Sequence, residues 1–592
     1  MDALRAMQET YPLLDPGTMG FWNGTRGFAA WMHSNEDVAG PRRYVHRSAG
    51  KLVLYDGMVV NPSGTFVAHD AEALAAHRAT LSDVLEGSFL VACITDAPPT
   101  LEIINDPLGV HPTFVHQDGG TWWVSNSVRL LSRAAGLTSI DVEGMAKLVG
   151  LHWPGGDRTL VRGASVLPAA QRWRWTDGSV PERSTYWPWT ELAVPHKRSF
   201  GGPEARELAV AMGAPLAALS DAFAPLQCPI TGGRDSRVLT GLMMSGSLQG
   251  DFFSAGEPDD PDVVYGTAIA ERFGLPHRRS SRSAAELAAE WDGVVQRVVR
   301  KLDGMVTLMH ASNALGPTQP LERLPVHLYG VAGEFGRGTW LTEGFVLRRP
   351  NVAQAIEFVR RTFDRGSTFL RPEARALVRA HIEESCRALL DQGFEPIDLP
   401  YAFSLTEYSR RWGGSQARQG SEHRDVFMPF VTRAYMSAAF ATPATERLLE
   451  RVPYLLLEHL SSELRAMPGQ KPWPPRSLAG LLAASATSAP RRLAERVVRR
   501  VSRRSPARIG RSRDRQVLLE DLRTRWRERY LDRGEADLWQ VVDRERFEFV
   551  TSDRMAPAER SRHLVNLYQV VTALAYEEDF RGWAAGGPAG RA

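Results

Sequence analysis

A glycine turn between an apolar strand and an apolar helix constrains this chain more than any other feature of its sequence. The segment Cys228-Pro-Ile-Thr-Gly-Gly-Arg-Asp-Ser-Arg237 is followed by an apolar run with helical spacing. Such a turn places several backbone N–H groups and a helix N-terminus around one anion. Asp235 can hold Mg²⁺ there, and the Thr231 and Ser236 hydroxyls can donate hydrogen bonds. The turn is not a Walker loop, because no Gly-Lys-Ser/Thr follows; an ordinary strand–helix loop is the alternative.

The sequence after this turn repeats the alternation of strands and helices. Residues 251–256 are predicted to form a strand, and capping signals predict a helix over 260–273. Residues 326–338 are predicted to form a strand that runs into a glycine-rich loop containing Glu334. Ligands in open α/β sheets collect at the carboxyl ends of the strands. We therefore expect Asp235 and Glu334 to face one site.

The first 190 residues have a different pattern, in which short β-rich runs are separated by turn signals. These runs lie at 51–60, 87–96, 101–116 (a pair broken at Asp106-Pro-Leu-Gly) and 121–127. Between the first two runs, residues 71–87 have helical spacing, with Leu74, Leu81 and Leu85 on one side. Strands with one helix between them indicate a layered α+β domain.

Length and composition limit the possible architectures and locations. A chain of 592 residues is too long for one ordinary core, so two or three domains are expected. No apolar stretch approaches the ~20 residues of a transmembrane helix, and the N-terminal residues do not resemble a secretory signal. Cys93, Cys228 and Cys386 are far apart and lack CxxC spacing. A disulfide framework or structural zinc is therefore not expected, and we expect a cytoplasmic protein.

Positive charge is concentrated in the last part of the chain. Between Arg491 and Arg515 there are eleven arginines and two acidic residues, whereas the whole chain has a net charge of only +3. This segment is either a solvated, partly disordered linker or a docking site for an acidic peptide or carrier. Nucleic acid and a membrane surface are further readings of a basic segment, but no recognition motif accompanies it, so nucleic acid is not expected as a partner.

Two further stretches complete an ordered series of motifs. Ser421-Glu-His-Arg-Asp-Val-Phe-Met-Pro-Phe430 and Gly469-Gln-Lys-Pro-Trp473 follow the turn at Thr231–Ser236 and the loop at Tyr329–Phe335. Together these segments resemble the PP-loop ATP-pyrophosphatase domain of the asparagine synthetase superfamily, which includes β-lactam synthetase and lasso-peptide cyclases. The resemblance covers roughly residues 50–475, and the ordered series is more specific than any one motif.

The resemblance assigns a role to each motif. Thr231–Ser236 matches the family's pyrophosphate loop S-G-G-x-D-S. Tyr329–Phe335 corresponds to its S-G-x-G-A-D-E string, with Glu334 in the place of the metal-binding Asp and Ala332 in the place of a Gly. The stretch from Ser421 resembles the family's S-x-E-x-R-x-P-F-L-D string, and the stretch from Gly469 resembles the loop with the catalytic lysine. The two departures leave the geometry of the second metal contact open.

Strings in the first part of the chain resemble the class II glutamine amidotransferase domain of asparagine synthetases. They are Leu85–Asp96, Asn105–Pro112, Pro154–Ala169 and, more loosely, the YDGMVVN string near Gly57. That family's glutaminase uses a cysteine exposed as its first residue, whereas here Asp2 follows Met1 and Cys93 lies in an apparent core strand. Because a thiolate is required for this chemistry, we expect no glutamine hydrolysis. The domain would then be a structural or substrate-docking remnant.

The resemblance thus implies an α/β plus α+β protein. A degenerate N-terminal nucleophile (Ntn)-type glutaminase-like domain is expected over 1–190 and a PP-loop, adenine nucleotide α-hydrolase-like synthetase domain over 200–480. A basic linker and helical extension follow over 481–592. The residues expected to bind ATP and its pyrophosphate are Thr231, Gly232, Gly233, Asp235, Ser236, Ser254 and Gly330. Asp235 and Glu334 are expected to bind Mg²⁺.

The expected activity is that of an ATP-dependent, AMP-forming ligase that adenylates a carboxylate and passes it to an amine. Lys471 would stabilise the developing charge; a solvated loop lysine is the alternative. Glu422 would hold an active-site arginine or act as a base, or else form a structural ion pair with Arg424. An intramolecular cyclase of natural product biosynthesis fits the missing glutaminase. An ammonia-using asparagine synthetase and a non-catalytic nucleotide-binding scaffold are the rival hypotheses.

Overall fold

Two β-sheets of different type lie in the first and the middle parts of the chain. The structure is a computed structural model. It describes residues 2–11, 14–24, 27–34, 36–61, 67–68, 71–76, 85–176, 180–280, 284–305, 308, 323–364, 366–420, 424–486, 511–531 and 535–585. The strands are β1 Gly20–Asn23, β2 Phe28–Trp31, β3 Val45–Ser48, β4 Lys51–Val60, β5 Val67–Ala68, β6 Glu86–Asp96, β7 Pro99–Asn105, β8 Phe114–Asp118, β9 Thr121–Ser125, β10 Ser165–Val166, β11 Gln171–Trp175, β12 Glu182–Thr185, β13 Leu226–Pro229, β14 Gly250–Ala255, β15 His277–Ser280, β16 Val326–Leu328 and β17 Asp425–Phe427.

The first sheet is antiparallel and contains the strands predicted at 51–60 and 87–96 and the first strand of the pair at 101–116. The second strand of that pair and the run at 121–127 are β8 and β9 of a smaller sheet. The order of the first sheet is β12-β11-β7-β6-β4-β3, with β5 paired to β4. The runs predicted at 51–60 and 87–96 are β4 and β6, and they pair along their whole length. The helix predicted over 71–87 is present as Ala71–Ala76, with Leu74 fully buried, and Leu81 lies outside the described residues. The end of that prediction is wrong, because the buried Leu85 directly precedes β6, which begins at Glu86. Two smaller antiparallel sheets have the orders β10-β8-β9 and β1-β2.

The second sheet is parallel throughout and has the order β15-β14-β13-β16-β17. The predicted strands at 251–256 and 326–338 are β14 and β16. The helix predicted over 260–273 spans Pro261–Phe273, where the Asp260 side chain accepts a hydrogen bond from the N–H of Asp262 and Gly274 ends the helix with φ +62°. After β13, the strands β14 and β15 are added on one side of it, and β16 and β17 are then added on its other side. The strand order therefore reverses between β13 and β16.

Helices surround both sheets and form most of the remaining described chain. The α-helices are Asp2–Thr10, Glu36–Ala39, Ala71–Ala76, Val128–Ala135, Val142–Leu151, Gly202–Phe223, Arg234–Ser245, Pro261–Phe273, Ala284–Ala289, Trp291–Lys301, Glu343–Leu347, Val352–Phe363, Pro372–Asp391, Leu399–Phe403, Arg410–Gly420, Arg433–Ala441, Ala444–Leu448, Arg451–Leu460, Ser462–Ala466, 478–486, Arg511–Leu531, Arg544–Thr551, Pro557–Arg560 and Leu564–Ala585. A π-helix over Ser404–Ser409 joins two of them.

The described residues from 511 onward are mainly helical, as predicted, and contribute to the main core. The helix Leu564–Ala585 packs against Val142–Leu151 and Trp291–Lys301. Trp526 and Tyr568 are both buried, with ring centroids 5.2 Å apart. The largest cluster of buried apolar side chains includes residues from the first part, the parallel-sheet part and this tail. Most of the arginine-rich stretch falls outside the described residues. Among the described helices, none combines the length and apolar character that crossing a bilayer requires.

Candidate functional site

The turn after β13 has the predicted strand–turn–helix form. The helix Arg234–Ser245 begins at Gly233, whose position has no side-chain cap. The Thr231 hydroxyl accepts a hydrogen bond from the N–H of Gly233 at 3.0 Å and lies 2.7 Å from the Ser236 hydroxyl. These bonds fix the shape of the turn and leave the first N–H groups of the helix without a side-chain partner. An uncapped helix N-terminus is suited to binding an anion.

The loops after β13 and β16 bring Asp235 and Glu334 together. A side chain at Gly333 would overlap the Asp235 carboxyl group, and a Cβ at Gly330 would lie 3.3 Å from the Asp235 Cβ. Burial raises the pKa of Glu334 to about 7, and the nearby Asp235 carboxylate contributes a smaller effect in the same direction. Burial also raises the pKa of Asp235, against the opposing effect of Arg337. Two carboxylates from different strand ends therefore share one partly buried position.

The guanidinium of Arg337 forms an ion pair with one of these two carboxylates. The Nη2 atom of Arg337 is 2.5 Å from Oδ2 of Asp235, and about a fifth of each side chain is exposed. Both Asp235 and Glu334 favour the charged form of Arg337 and raise its pKa, although burial acts in the opposite direction. The site thus contains its own cation, which is paired with Asp235 and close enough to Glu334 to oppose the rise of its pKa.

The loop after β16 is held rigidly. The hydroxyl of Tyr435 donates to the carbonyl of Gly333 at 2.7 Å and accepts from the N–H of Gly336 at 3.2 Å. Tyr401 donates to the carbonyl of Arg337. Ala332 adopts φ +73°, a left-handed conformation that favours glycine. Ala332 is the residue that departs from Gly in the predicted correspondence, and glycine would adopt this backbone conformation at a lower cost.

The segment with Lys471 lies against the turn after β13. Arg237 donates to the carbonyls of Met467, at 2.8 Å, and Pro468. The N–H of Gln470 donates to the carbonyl of Gly232 at 3.4 Å, and a Cβ at Gly469 would lie 2.8 Å from the same oxygen. The structure therefore brings the loop predicted to contain the catalytic lysine beside the predicted phosphate loop. The Lys471 side chain itself is exposed.

Arg234 fixes the far end of this segment. Its guanidinium donates to Glu450 and to the carbonyl of Pro472, both at 2.8 Å, and lies 3.7 Å from the centre of the Trp473 ring. With Arg237, it anchors residues 467–473 at both ends. The position of the Lys471 backbone consequently depends on the contacts that two buried arginines make with the residues on either side of it.

Three other predicted residues have less direct support. Ser254 is buried, and its hydroxyl donates to the carbonyl of Ile230 at 2.6 Å and lies 2.9 Å from Nε2 of His277. That hydroxyl is engaged inside the sheet and not directed at the turn. Gly330 lies at the end of β16 beside Asp235, as expected. Glu422 falls outside the described residues, so its three predicted roles stay predictions.

The acidic groups fit Mg²⁺ only as part of a nucleotide complex. Among the described residues, no group of three or more His, Cys, Asp or Glu side chains is arranged to hold a metal ion. Mg²⁺ commonly binds proteins through one or two carboxylates and takes its remaining ligands from water and substrate phosphates. Asp235 and Glu334 match that requirement. By themselves, without substrate phosphates, these two carboxylates would bind a divalent ion only weakly.

The antiparallel part has no accessible thiol. Cys93, Cys228 and Cys386 are all buried. Cys93 is in β6 opposite Val53, as expected for a core residue. Burial raises the pKa of Cys228 far above its ordinary value and that of Cys386 to about 12. Since a nucleophilic cysteine must be accessible as a thiolate, none of the three is suited to hydrolysing glutamine.

The sequence did not single out Arg337, Tyr435 or Glu450. Arg337 lies within the glycine-rich stretch that was recognised, so an arginine at the end of that loop was an available signal. Tyr435, in a helix, and Glu450, just before the next helix but one, contact the site from positions 100 and more residues further along the chain. No local pattern connects them to it.

A scan against protein-family models gives no match for this chain, and neither does a search of curated proteins.

Proposed function

We propose that this chain is an ATP-dependent, AMP-forming ligase that joins a carboxylate to an amine without a glutaminase of its own. The observation that supports this most strongly is the meeting of the two glycine-rich loops after β13 and β16, where the strand order of the parallel sheet reverses. Nucleotides bind open α/β sheets at this position. We assign the parallel-sheet part to the PP-loop type and the antiparallel part to a degenerate Ntn-type amidotransferase.

The residues of the site suit adenylation of a carboxylate. The N–H groups of residues 232–236 would bind the pyrophosphate of ATP, and Asp235 and Glu334 would hold Mg²⁺. When bound, Mg²⁺ neutralises negative charge on the pyrophosphate as it leaves. Lys471 would turn inward to stabilise the charge that forms when the amine attacks the activated acyl group. Its segment already contacts the phosphate turn through Gln470 and Gly469.

The amine is proposed to be part of the substrate or to arrive as a separate molecule. This follows from the burial of all three cysteines, which leaves the antiparallel part without a nucleophile for releasing ammonia from glutamine. Closure of a ring within a peptide or small molecule, as in lasso-peptide or β-lactam formation, fits such an enzyme. A precursor peptide or carrier with acidic groups would bind the arginine-rich stretch between 491 and 515.

Product analysis tests this proposal. The protein is incubated with ATP, Mg²⁺ and pools of carboxylate substrates with amines, and the nucleotide products are separated by chromatography. AMP and pyrophosphate are expected, whereas ADP and phosphate would contradict the assignment. Aspartate with ammonium is a separate reaction, because formation of asparagine there would favour the ammonia-using asparagine synthetase. Tight ATP binding with no pyrophosphate release from any pool would favour the scaffold hypothesis.

A further inference from the structure

Arg337 is bound less completely than the other arginines of the site. Arg234 contacts Glu450, Pro472 and Trp473, and Arg237 donates to two backbone carbonyls. The side chain of Arg337 has one hydrogen-bond partner in the described part of the chain, the carboxylate of Asp235. Its Nε atom, like that of Arg237, is buried and has no partner among the described residues, but Arg237 is held by two backbone carbonyls whereas Arg337 has the single contact with Asp235. A buried donor without an acceptor is costly, so an acceptor supplied by a ligand would stabilise it.

The backbone of Arg337 is fixed while its side chain depends on a single ion pair. Its N–H donates to the carbonyl of Glu334 at 3.1 Å, and its carbonyl accepts from Tyr401. The guanidinium can therefore change partner by rotation of side-chain bonds, without movement of the loop. Only the contact with Asp235 must be given up for that change.

The partner of Arg337 is one of the two carboxylates assigned to Mg²⁺. A divalent ion that binds Asp235 supplies the positive charge that the guanidinium supplies here, so the metal and Arg337 compete for that carboxylate. Phosphate oxygens are then the strongest acceptors at the site. The planar fork of a guanidinium matches phosphate geometry and forms two parallel hydrogen bonds with it.

We propose that Arg337 is an anion-binding residue that exchanges Asp235 for the pyrophosphate group of ATP when a divalent metal enters the site. Without nucleotide, Arg337 keeps Asp235 and Glu334 from repelling each other. With metal and nucleotide, the same side chain binds the leaving group. This inference rests on the proposed function, because the anion is identified as pyrophosphate through the assignment of the turn.

Calorimetric titration with two probes tests the exchange. Mn²⁺ alone reports the competition at Asp235, and inorganic pyrophosphate with saturating Mn²⁺ reports the anion contact. Arg337→Gln is expected to bind Mn²⁺ alone on the order of tenfold more tightly, because a competing cation is gone. The same variant is expected to bind pyrophosphate ~10–100-fold more weakly, because a charge-assisted bidentate contact is lost. Opposite changes of the two affinities are the signature of partner exchange.

A merely structural ion pair predicts a different result. If Arg337 only holds the loop in place, Arg337→Gln lowers the affinities for both probes together or leaves both affinities unchanged. Either outcome overturns the inference. Arg337→Lys keeps the charge but lacks the fork, so its pyrophosphate affinity should lie between those of the wild type and the glutamine variant. This variant also covers the case in which Arg337→Gln does not fold. Arg360→Gln, which removes an arginine paired with Glu357 on another helix, is the matched control and should change neither affinity.

A second background separates a direct contact from an effect through Asp235. In Asp235→Asn the ion pair is already absent, so adding Arg337→Gln should still weaken pyrophosphate binding ~10-fold or more if Arg337 touches the anion. No further loss in this background would show that Arg337 acts only through Asp235. Failure of the wild type to bind pyrophosphate with Mn²⁺ would instead overturn the proposed function, which distinguishes the two failures.

Discussion

Buried carboxylates in the two sheets are used in different ways. Asp106, at the end of β7 in the antiparallel sheet, accepts hydrogen bonds from the N–H groups of Leu108, Val110 and His111 in its own turn. Burial raises its pKa to about 6, against the effect of those bonds. Asp235, in contrast, comes from a different element than Glu334, and its carboxylate adds to the effect of burial in raising the pKa of Glu334. A carboxylate satisfied by its own turn stabilises the fold, whereas carboxylates pushed together from separate strand ends mark a candidate site.

Asp235→Asn is expected to have the largest effect on activity and tests this comparison directly. Loss of a charged metal ligand should lower AMP formation by on the order of 10²–10³, because transition-state charge stabilisation of several kcal/mol is removed. Its thermal stability should change little, since the variant also relieves repulsion with Glu334. Asp106→Asn is the paired variant and should lose stability, because the amide nitrogen of asparagine cannot accept a hydrogen bond from the N–H groups of this turn, but it should retain pyrophosphate binding. A reversal of these two results would refute the distinction between the carboxylates.

Lys471 provides the next test, at an exposed position beside the parallel sheet. If the side chain turns into the site, Lys471→Ala should lower turnover by about 10²–10³ while ATP affinity is retained. Lys471→Arg should be nearly as defective, because a guanidinium cannot place a compact charge in the same position. Turnover and nucleotide affinity of both variants are measured with the substrate that product analysis identifies. Near-normal activity of the arginine variant would favour the solvated loop lysine.

Glu407 forms hydrogen bonds between the parallel-sheet part and the first part of the chain, so the pH dependence of stability tests the association of these two parts. It is buried in the π-helix and accepts hydrogen bonds from Trp153 at 2.8 Å and from the N–H of Gly156 at 2.9 Å. Burial alone would raise its pKa, but His381, Gly156 and Trp153 outweigh that effect and lower the pKa to about 2. The stabilisation of the folded state that results from this lowered pKa is present above the ordinary pKa of about 4.5 and is lost as pH falls from there towards 2.

Glu407→Gln should therefore reduce the free energy of unfolding at pH 7 by roughly 3 kcal/mol. The difference from the wild type should shrink as the pH is lowered from 5 to 3, as measured by denaturant titration. Glu357→Gln is a suitable control: a hydrogen bond from Arg360 lowers the pKa of Glu357 to about 2 as well, but this carboxylate is on the surface. Solvent screening should keep its effect below about 1 kcal/mol. Equal effects of the two variants would contradict the role assigned to Glu407.

Ala332→Gly should produce a smaller change, in the direction of greater stability. Glycine removes the cost of a left-handed alanine, about 1–2 kcal/mol, but loses more conformational entropy on folding. The net gain should be at most about 1 kcal/mol, with pyrophosphate affinity unchanged or slightly higher. The thermal midpoint of the variant measures the gain. A clear decrease would mean that the Ala332 methyl group makes packing contacts worth more than the relieved strain.

Cys93→Ala should have no effect on glutamine chemistry, which is the smallest expected change. Neither the wild type nor the variant should release glutamate from glutamine above background, because Cys93 is buried in β6. Release of glutamate by an enzymatic assay that persists in the variant would reveal another nucleophile. Release that disappears in the variant would show that Cys93 becomes accessible and that the comparison between the two sheets is incomplete.

Much of the scaffold could be predicted because its signals are local. The strands β4 and β6, the turn after β13 and the helix Pro261–Phe273 each depend on residues close together in the chain. Strand propensity, glycine in a turn and capping residues act over a few positions and need no knowledge of distant contacts. The meeting of Asp235 with Glu334 was also predictable, since it requires only that both loops follow parallel strands.

The tertiary structure decided which charges neutralise one another. Arg337 was in a recognised loop, but its pairing with Asp235 depends on the adjacency of β13 and β16. The anchoring of residues 467–473 by Arg234 and Arg237 joins segments more than 200 residues apart. The sequence by itself determined the local elements and the motif order. Ion pairs and buried contacts between distant segments were decided only by the packed fold, because their energy depends on burial and on distances that no local pattern encodes.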